Sequence, residues 1–307
     1  MPNNFNLVTV LGPTASGKTT FAAQLAFRIN GEVISADSRQ IYRQMNLGTG
    51  KDYSDYRVLN AQVPFHLIDI ADPGHKYSVF EYQRDFFRVF SDIQSRGRFP
   101  VLCGGSGMYI DAAMQRYRLV DVPRNDTLRA ELGSKTLDEL SAFLSSLKSL
   151  HNTTDVDTLA HALRAIEIAM YYRDIPAKTN DLPVLNPLFI GIRFERENER
   201  ARITERLEKR LQQGMVEEVR QLLASGLSAD SLNYYGLEYR YITRYLLGEM
   251  DYKTMVSLLN TAIHQFAKRQ HTWFRKMERE GCNIHWLDGP MPTPEKIKTT
   301  LKLLEWQ

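Results

Sequence analysis

The chain has 307 residues, 43% apolar and 24% charged, a composition that excludes a disordered chain and allows one large domain or two modest ones. Its 39 basic and 36 acidic side chains give a net charge of +3, too small to argue for nucleic acid as a partner. The two cysteines, Cys103 and Cys282, are too few for a disulfide framework and fit a reducing compartment. Because no signal peptide and no long apolar run is evident, we expect a cytoplasmic protein without a membrane partner.

Strands and helices alternate in the first third of the sequence. An apolar run at 7–11 precedes a glycine-rich loop and then apolar residues at helical spacing. An amphipathic helix is predicted at 78–96. Further buried strands are predicted at 33–36, 66–70, 100–103, 188–194 and 283–287. This alternation predicts an α/β fold in which helices flank a parallel sheet.

The middle of the chain has a helical and polar pattern. Leucines recur at spacings of three and four between about 121 and 180, and Pro183 and Pro187 then end the pattern. We therefore expect a core made of residues 1–120 and 184–307, with a small all-helical insertion domain at 121–183.

The last third is predicted to be mostly helical. A final helix is expected to begin at Thr293, as its capping residue, with Pro294 in the first turn. Before it, one long helix is predicted over 252–277. Its core face is expected to carry Met255, Leu258, Leu259, Ala262, Ile263 and Phe266.

The loop after the first strand has the spacing G-x-x-x-x-G-K-[ST]. It contains Gly12, Pro13, Thr14, Ala15, Ser16, Gly17, Lys18 and Thr19. Between a strand and a helix, the backbone N–H groups of such a loop and the positive helix end face an anion. We expect Lys18 to neutralise the terminal phosphate and the Thr19 hydroxyl to hold Mg²⁺. The sheet is thus predicted to be P-loop NTPase-like, with a pyrophosphate or triphosphate as ligand.

Other polar residues follow later strands and therefore lie at the same edge of the sheet. Asp37 follows the second strand, where a carboxylate can act as a general base, hold Mg²⁺ or simply cap a helix. Asp69 is expected at the end of the next strand and could hold a metal through water. Gly104, Gly105 and Gly107 are expected at the end of the fourth strand, where glycine permits close backbone approach, although a tight strand-to-helix turn explains them equally well.

Several ordered segments resemble the tRNA dimethylallyltransferases, a family that prenylates the N6 amine of adenosine 37 in tRNA. The matching segments are GPTASGKT at 12–19, DSRQIY at 37–42, FHLIDIADP at 65–73, YSVFEYQRD at 77–85, GGSGMYI at 104–110, RITERLEKRLQQGM at 202–215 and AKRQHTWFRK at 267–276. The last segment distinguishes this family from P-loop kinases.

The resemblance implies that the phosphate loop holds dimethylallyl diphosphate, whose prenyl group passes to tRNA as diphosphate leaves. Negative charge develops on the leaving group, and Lys18, Mg²⁺ at Thr19 and an arginine matched by Arg206 would stabilise it. Arg202, one helical turn earlier, is the weaker match. Asp37 matches the carboxylate that takes the N6 proton, and the adenine must leave its stack to reach it.

The implied partner is the anticodon stem-loop of tRNA, bound by a protein that we expect to be a monomer. Cations interleaved with aromatics near the end of the long helix suit phosphates and unpaired bases, although a basic helix end also complements its own dipole. The implied tRNA contacts are Asp37, Ser38, Arg39, Gln40, Ser106, Arg129, Arg164, Lys268, Arg269, Gln270, Thr272, Trp273 and Arg275.

Three departures from the family pattern affect the RNA contacts. The segment at 155–167 keeps only Arg164 of an arginine-rich run, the insertion is shortened, and Glu238 replaces a cation expected to face RNA. Fewer phosphate contacts should weaken tRNA affinity and reduce its salt dependence. Two alternatives stay open. A P-loop kinase of a small molecule or nucleotide is disfavoured by the last family segment, and a tRNA-binding paralogue with weak activity is disfavoured by the retained catalytic residues.

Overall fold

The computed structural model describes residues 5–114, 119–148, 156–174 and 182–305. They belong to two compact units, one formed by Met1–Arg118 with Pro183–Gln307 and the other by Leu119–Leu182. Parts of the predicted insertion, residues 149–155 and 175–181, lie outside the described residues. Among the helices of the described ranges, none combines the length and the apolar character that crossing a membrane requires.

A six-stranded sheet forms the centre of the larger unit. The strands, including a separate antiparallel hairpin of β3 and β4, are β1 (Leu7–Leu11), β2 (Gly31–Ala36), β3 (Arg57–Val58), β4 (Ala61–Gln62), β5 (Phe65–His66), β6 (Phe99–Gly104), β7 (Pro187–Arg193) and β8 (Ile284–Asp288). The sheet has the order β5-β2-β6-β1-β7-β8, and all its pairings are parallel. Because helices cover both faces, β1 and β2 are buried along their whole length. The predicted α/β class with a parallel sheet is confirmed.

Twelve helices are described in the two units. They are α1 (Lys18–Arg28), α2 (Val79–Ser95), α3 (Gly107–Ala113), α4 (Asp126–Leu132), α5 (Leu137–Leu147), α6 (Leu159–Asp174), α7 (Arg196–Gln212), α8 (Met215–Ala224), α9 (Ala229–Tyr234), α10 (Leu237–Leu246), α11 (Tyr252–Arg279) and α12 (Thr293–Leu304). Helices α4 to α6 belong to the smaller unit, where buried leucines and alanines of all three form one apolar cluster.

Side chains that alternate along the strands form the main core. Val8 and Val10 of β1 point to the face covered by α1 and α12, where they join one continuous apolar cluster. Helix α2 packs on the other face, and the buried Tyr82 hydroxyl donates to the carbonyl of Ser35 at 3.1 Å. This helix begins with a capping box made by Ser78 and Glu81. The packing on both faces fixes the loops at the carboxyl ends of the strands.

The strand predicted at 66–70 is wrong in extent. Strand β5 ends at His66, because Leu67 and Asp69 have left-handed backbones with φ of 60° and 55°, which a strand cannot contain. The backbone N–H of Asp69 instead donates to the carbonyl of Gln40 at 3.1 Å. The chain therefore turns away from the sheet edge before it reaches the carboxylate.

Two details of the helical predictions are also wrong. Leu258 and Phe266 of α11 are 42% and 38% exposed, because the buried stripe runs through Leu259 and Ala267 and leaves both side chains on its flanks. Helix α12 does begin at Thr293, but the residue in the capping position is Pro292 and no side chain caps the helix.

Candidate active site

A cavity of about 750 Å³ opens beside the loops that follow β1, β2 and β6. This is the edge at which open parallel sheets bind ligands. Many of the predicted site residues line this cavity, namely Thr14, Lys18, Thr19, Asp37, Ser38, Arg39, Gln40, Ser106, Arg206, Arg269, Gln270 and Trp273. The walls do not include Lys268, Thr272 or Arg275.

Three residues of the loop at 12–19, namely Thr14, Lys18 and Thr19, line this cavity. Gly17 ends the loop in a left-handed backbone with φ of 77°, a conformation that glycine adopts without strain, and α1 begins at the next residue. The Lys18 ammonium folds back to donate to the carbonyl of Pro13 at 3.2 Å, and burial lowers its pKa. The Ser16 hydroxyl is buried and, within the described ranges, has no hydrogen-bond partner. Backbone donors, a cation and an unpaired hydroxyl thus meet at one helix N-terminus.

Asp37 leaves the sheet directly after β2 and lines the same cavity. Its Oδ1 accepts a hydrogen bond from the backbone N–H of Arg39 at 2.9 Å, which fixes the orientation of the carboxylate. Within the described part of the chain, Oδ2 has no hydrogen-bond partner. One oxygen is therefore held by the protein while the other remains available to a ligand.

The residues after Asp37 connect its loop to neighbouring segments. The backbone N–H of Ser38 donates to the Ser106 hydroxyl at 3.1 Å, so Ser106 joins the loops that follow β2 and β6. Arg39 donates from Nη1 to the carbonyl of Tyr234 at 2.7 Å, and Gln40 donates from Nε2 to that of Gly50 at 3.2 Å. These contacts fix the shape of the cavity around the carboxylate.

Arg206 extends from α7 to the phosphate loop. Its Nη1 donates to the Thr14 hydroxyl at 3.1 Å, and its Nη2 lies 3.4 Å from the Gly50 carbonyl oxygen. Burial is the main cause of its lowered pKa. Arg202 contacts the outside of the loop, where its Nε donates to the Ala15 carbonyl at 3.0 Å and its guanidinium lies over Phe194. Of the two arginines, only Arg206 lines the cavity.

Helix α11 contributes both a structural contact and a basic surface. Gln270 is buried, and its amide accepts from the Thr14 N–H and donates to the Gly105 carbonyl, each at 2.9 Å. Gln270 was predicted to contact tRNA, but both ends of its amide are used to connect the phosphate loop to the loop after β6. The Trp273 indole donates to Asp111 at 3.1 Å. Between residues 268 and 276 of this helix, the exposed polar residues are Lys268, Arg269, Thr272 and Arg275.

Arg129 and Arg164, also predicted to contact tRNA, are paired within the smaller unit. Both donate to the buried carboxylate of Glu167, Arg129 from Nε at 2.6 Å and Arg164 from Nη1 at 2.9 Å. Arg164 also donates from Nη2 to the Val122 carbonyl at 2.8 Å. Although burial opposes ionisation, the hydrogen bonds from both arginines lower the Glu167 pKa to about 2. The contact between Arg129 and Glu167 therefore joins α4 to α6.

Glu167→Gln is expected to destabilise the smaller unit by about 3 kcal/mol, because it leaves two guanidinium groups without their carboxylate. Since the folded-state pKa lies below the ordinary value, this stabilisation is present above about pH 5 and is lost as the pH falls towards 2. Hydrogen exchange of α4 and α6 measures the effect. Glu131→Gln, an exposed carboxylate of α4, is the control. Equal protection in both variants would contradict the structural role of Glu167.

Asp69, considered from the sequence as a metal-binding carboxylate, lies outside the cavity walls. It forms an ion pair with the buried Lys51 ammonium and accepts a hydrogen bond from the Tyr53 hydroxyl. Both oxygens are thus used within the protein, because the early turn at Leu67 directs the chain to this pair. The metal role proposed for Asp69 is therefore not supported.

The cavity walls include residues that were not predicted as part of the site, among them Arg210, Glu238 and Tyr234. Arg210 lies one helical turn after Arg206, and this spacing on α7 could have revealed it. In the sequence, Glu238 was noted only because it replaces a cation that the family pattern expects to face RNA. In the structure it lines the same cavity as Arg206 and Arg210. Tyr234 follows no recognisable sequence signal, since the Arg39 contact that holds its backbone is distant in sequence.

Comparison with known proteins identifies relatives of the whole chain. The family model described as IPP transferase matches residues 40–277, and the model described as isopentenyl transferase matches residues 5–59. A Parabacteroides distasonis protein named tRNA dimethylallyltransferase 1 is 57% identical over 304 residues, which cover 99% of each chain. A Bacteroides fragilis protein named tRNA dimethylallyltransferase 2 is 58% identical over 297 residues, which cover 97% of each chain.

Solved structures have the same fold. The full-length tRNA isopentenylpyrophosphate transferase of Bacillus halodurans is 31% identical, with a TM-score of 0.71 over 98% of this chain and 97% of that one. A eukaryotic dimethylallyltransferase acting on tRNA is 21% identical, with a TM-score of 0.74 over 92% of this chain and 74% of that one, and shows the shared fold. The similarity in sequence and in fold thus extends over nearly the whole chain.

Proposed function

Since the chain belongs to the IPP transferase family, we propose that it transfers a dimethylallyl group from dimethylallyl diphosphate to N6 of adenosine 37 in tRNA. The main support for this proposal is that one cavity is lined both by residues of the phosphate loop and by Asp37, whose carboxylate has a free oxygen. The diphosphate of the donor and the acceptor amine would therefore meet in a single cavity.

The phosphate loop and Arg206 would bind the diphosphate of the donor. When the C–O bond to the allylic carbon breaks, the electron pair leaves with the diphosphate and its negative charge increases. Backbone N–H groups of the loop, the Lys18 ammonium and the Arg206 guanidinium stabilise that charge. Because Arg206 is already held by Thr14 and Gly50, little reorganisation is needed as the bond breaks.

A divalent cation fits the phosphate loop if the diphosphate and water supply most of its ligands. Thr19 lines the cavity directly after Lys18, and Ser16 has a buried hydroxyl that is unpaired within the described ranges. In those ranges no cluster of three or more acidic, His or Cys side chains could hold a metal. Mg²⁺ is bound in this way at phosphates, with few protein ligands. When bound, it neutralises phosphate charge, and Thr19 is the residue that would hold it.

Asp37 would orient and deprotonate the acceptor. An exocyclic adenine amine is a poor nucleophile because its lone pair is delocalised into the ring, so its position relative to the allylic carbon matters. The free Oδ2 of Asp37 would accept a hydrogen bond from N6 and then take its proton as the new C–N bond forms. To reach the Asp37 carboxylate in the cavity wall, the adenine would have to leave its stack.

Lys268→Ala combined with Arg275→Ala is expected to weaken tRNA binding, because both cations are exposed near the cavity on α11. Because this variant lacks two cations that would each neutralise a phosphate, the slope of log K against log salt should become shallower by roughly 1.5. Titration of tRNA at several salt concentrations measures this. Lys298→Ala with Lys302→Ala removes the same charge from exposed positions of α12 and is the control. An identical slope in both double variants would show that the α11 cations do not contact RNA.

The choice of donor tests the reaction class. The protein is incubated with unmodified tRNA and either labelled dimethylallyl diphosphate or ATP. The proposal expects label in tRNA and stoichiometric release of diphosphate, with no turnover of ATP. ATP turnover without prenyl transfer would instead support a P-loop kinase.

A further inference from the structure

Arg210 is a cavity residue for which the proposed reaction has no role yet. It projects from α7 one helical turn after Arg206 and lines the same cavity. Within the described residues, no group accepts a hydrogen bond from its guanidinium and no carboxylate lies within ion-pair distance. Burial, followed by the charge of Arg206, lowers its pKa to about 10. A guanidinium withdrawn from bulk water without an acceptor is unfavourable, and an anionic ligand would remove this cost.

The guanidinium groups of Arg206 and Arg210 both lie against the turn at Gly50. The backbone of Gly50 is left-handed, with φ of 73°, and a Cβ there would lie 2.7 Å from Nη1 of Arg210 and 2.8 Å from Nη2 of Arg206. Any residue other than glycine would therefore displace both groups. Since Arg206 also contacts Thr14, the paired guanidinium groups lie beside the phosphate loop.

The charges of the cavity favour a ligand with several negative charges. Two carboxylates, Asp37 and Glu238, face a larger number of cations. These cations are Lys18, Arg39, Arg206, Arg210, Arg240 and Arg269. Glu238 is the carboxylate with the strongest electrostatic effect on Arg210, but the two do not form an ion pair. Arg210 is thus held near a counter-charge without being neutralised by direct contact.

We propose that Arg210 binds the diphosphate together with Arg206, and that Glu238 balances the charge of Arg210 when the diphosphate is absent. This inference rests on the proposed function, because that function supplies the diphosphate. Two guanidinium groups offer parallel N–H donors to phosphate oxygens, which a single lysine cannot do. Arg210 is thereby assigned to donor affinity and to stabilisation of the leaving group.

The test is calorimetric titration of the full chain with magnesium pyrophosphate. Arg210→Gln is expected to weaken pyrophosphate binding by about 10- to 100-fold, as for loss of a charged hydrogen bond. Arg210→Lys should retain part of the affinity, and Glu238→Gln should increase it. Arg200→Gln, an exposed arginine of the same helix, is the control and should bind as the unaltered chain does. Thermal unfolding shows whether each variant is folded.

Unchanged pyrophosphate affinity in folded Arg210→Gln would overturn the inference. So would a loss of tRNA affinity, measured without donor, at unchanged pyrophosphate affinity, since the guanidinium would then contact RNA. The proposed function is tested separately by prenyl transfer in the unaltered chain. If the unaltered chain transfers prenyl groups and Arg210→Gln binds pyrophosphate with unchanged affinity, only the role of Arg210 is disproved.

Discussion

Asp37→Asn is expected to slow prenyl transfer by about 100- to 10,000-fold, the range attributed to a positioned general base. The amide oxygen can still accept the hydrogen bond from the Arg39 N–H, so the local backbone should remain in place. The group that accepts the N6 proton is lost, because a neutral amide is not a base. Pyrophosphate affinity should change little, since the diphosphate is bound by the phosphate loop and arginines.

Single-turnover kinetics with bound tRNA and donor measure this effect on the chemical step. Asp72→Asn is the control, because Asp72 is an exposed carboxylate paired with Arg43 outside the cavity walls. If Asp37→Asn transfers the prenyl group at the unaltered rate, Asp37 is not the base. If only its pyrophosphate affinity falls, Asp37 acts on the donor instead of the acceptor.

Arg206→Gln is expected to reduce kcat by about 100- to 1,000-fold, comparable to removing one donor that stabilises charge in a transition state. The reason is that its guanidinium is held beside the phosphate loop by Thr14, where the leaving diphosphate gains charge. Arg202→Gln is the matched variant four residues earlier on α7. It should have a much smaller effect, because Arg202 contacts the outside of the loop at Ala15.

Steady-state and single-turnover kinetics of both variants distinguish the two arginines. The expected order is a large loss for Arg206→Gln and a small one for Arg202→Gln. A larger loss for Arg202→Gln would mean that the guanidinium outside the cavity is the one that meets the diphosphate.

Local sequence patterns were sufficient to predict the fold and the family. The G-x-x-x-x-G-K-[ST] spacing between a strand and a helix fixed the position of the phosphate loop, and the order of strands and helices predicted the parallel sheet. The matches of both family models and the identity to named relatives confirm the predicted family. Asp37 and Arg206 were named as site residues from their family segments, and the structure brings them to one cavity.

Contacts between distant segments could not be predicted in this way. Gln270 was expected to face RNA, but its amide joins two loops that lie far from it in sequence. Arg129 and Arg164 were predicted to contact tRNA, but both pair with Glu167. The Arg164 pair is a local contact within α6, whereas only the packing of α4 against α6 brings Arg129 to the same carboxylate. The sequence gives the number of cations, but only the fold shows which of them are paired with a carboxylate inside the protein.

The position of the prenyl group in the product tRNA decides whether this chain modifies N6 of adenosine 37. Unmodified tRNA is incubated with labelled dimethylallyl diphosphate, cut into defined fragments and analysed by mass spectrometry. We expect one dimethylallyl group on N6 of the adenosine at position 37, formed by the unaltered chain and formed about 100- to 10,000-fold more slowly by Asp37→Asn. Label on another nucleoside, or transfer at the unaltered rate without the Asp37 carboxylate, would contradict this assignment.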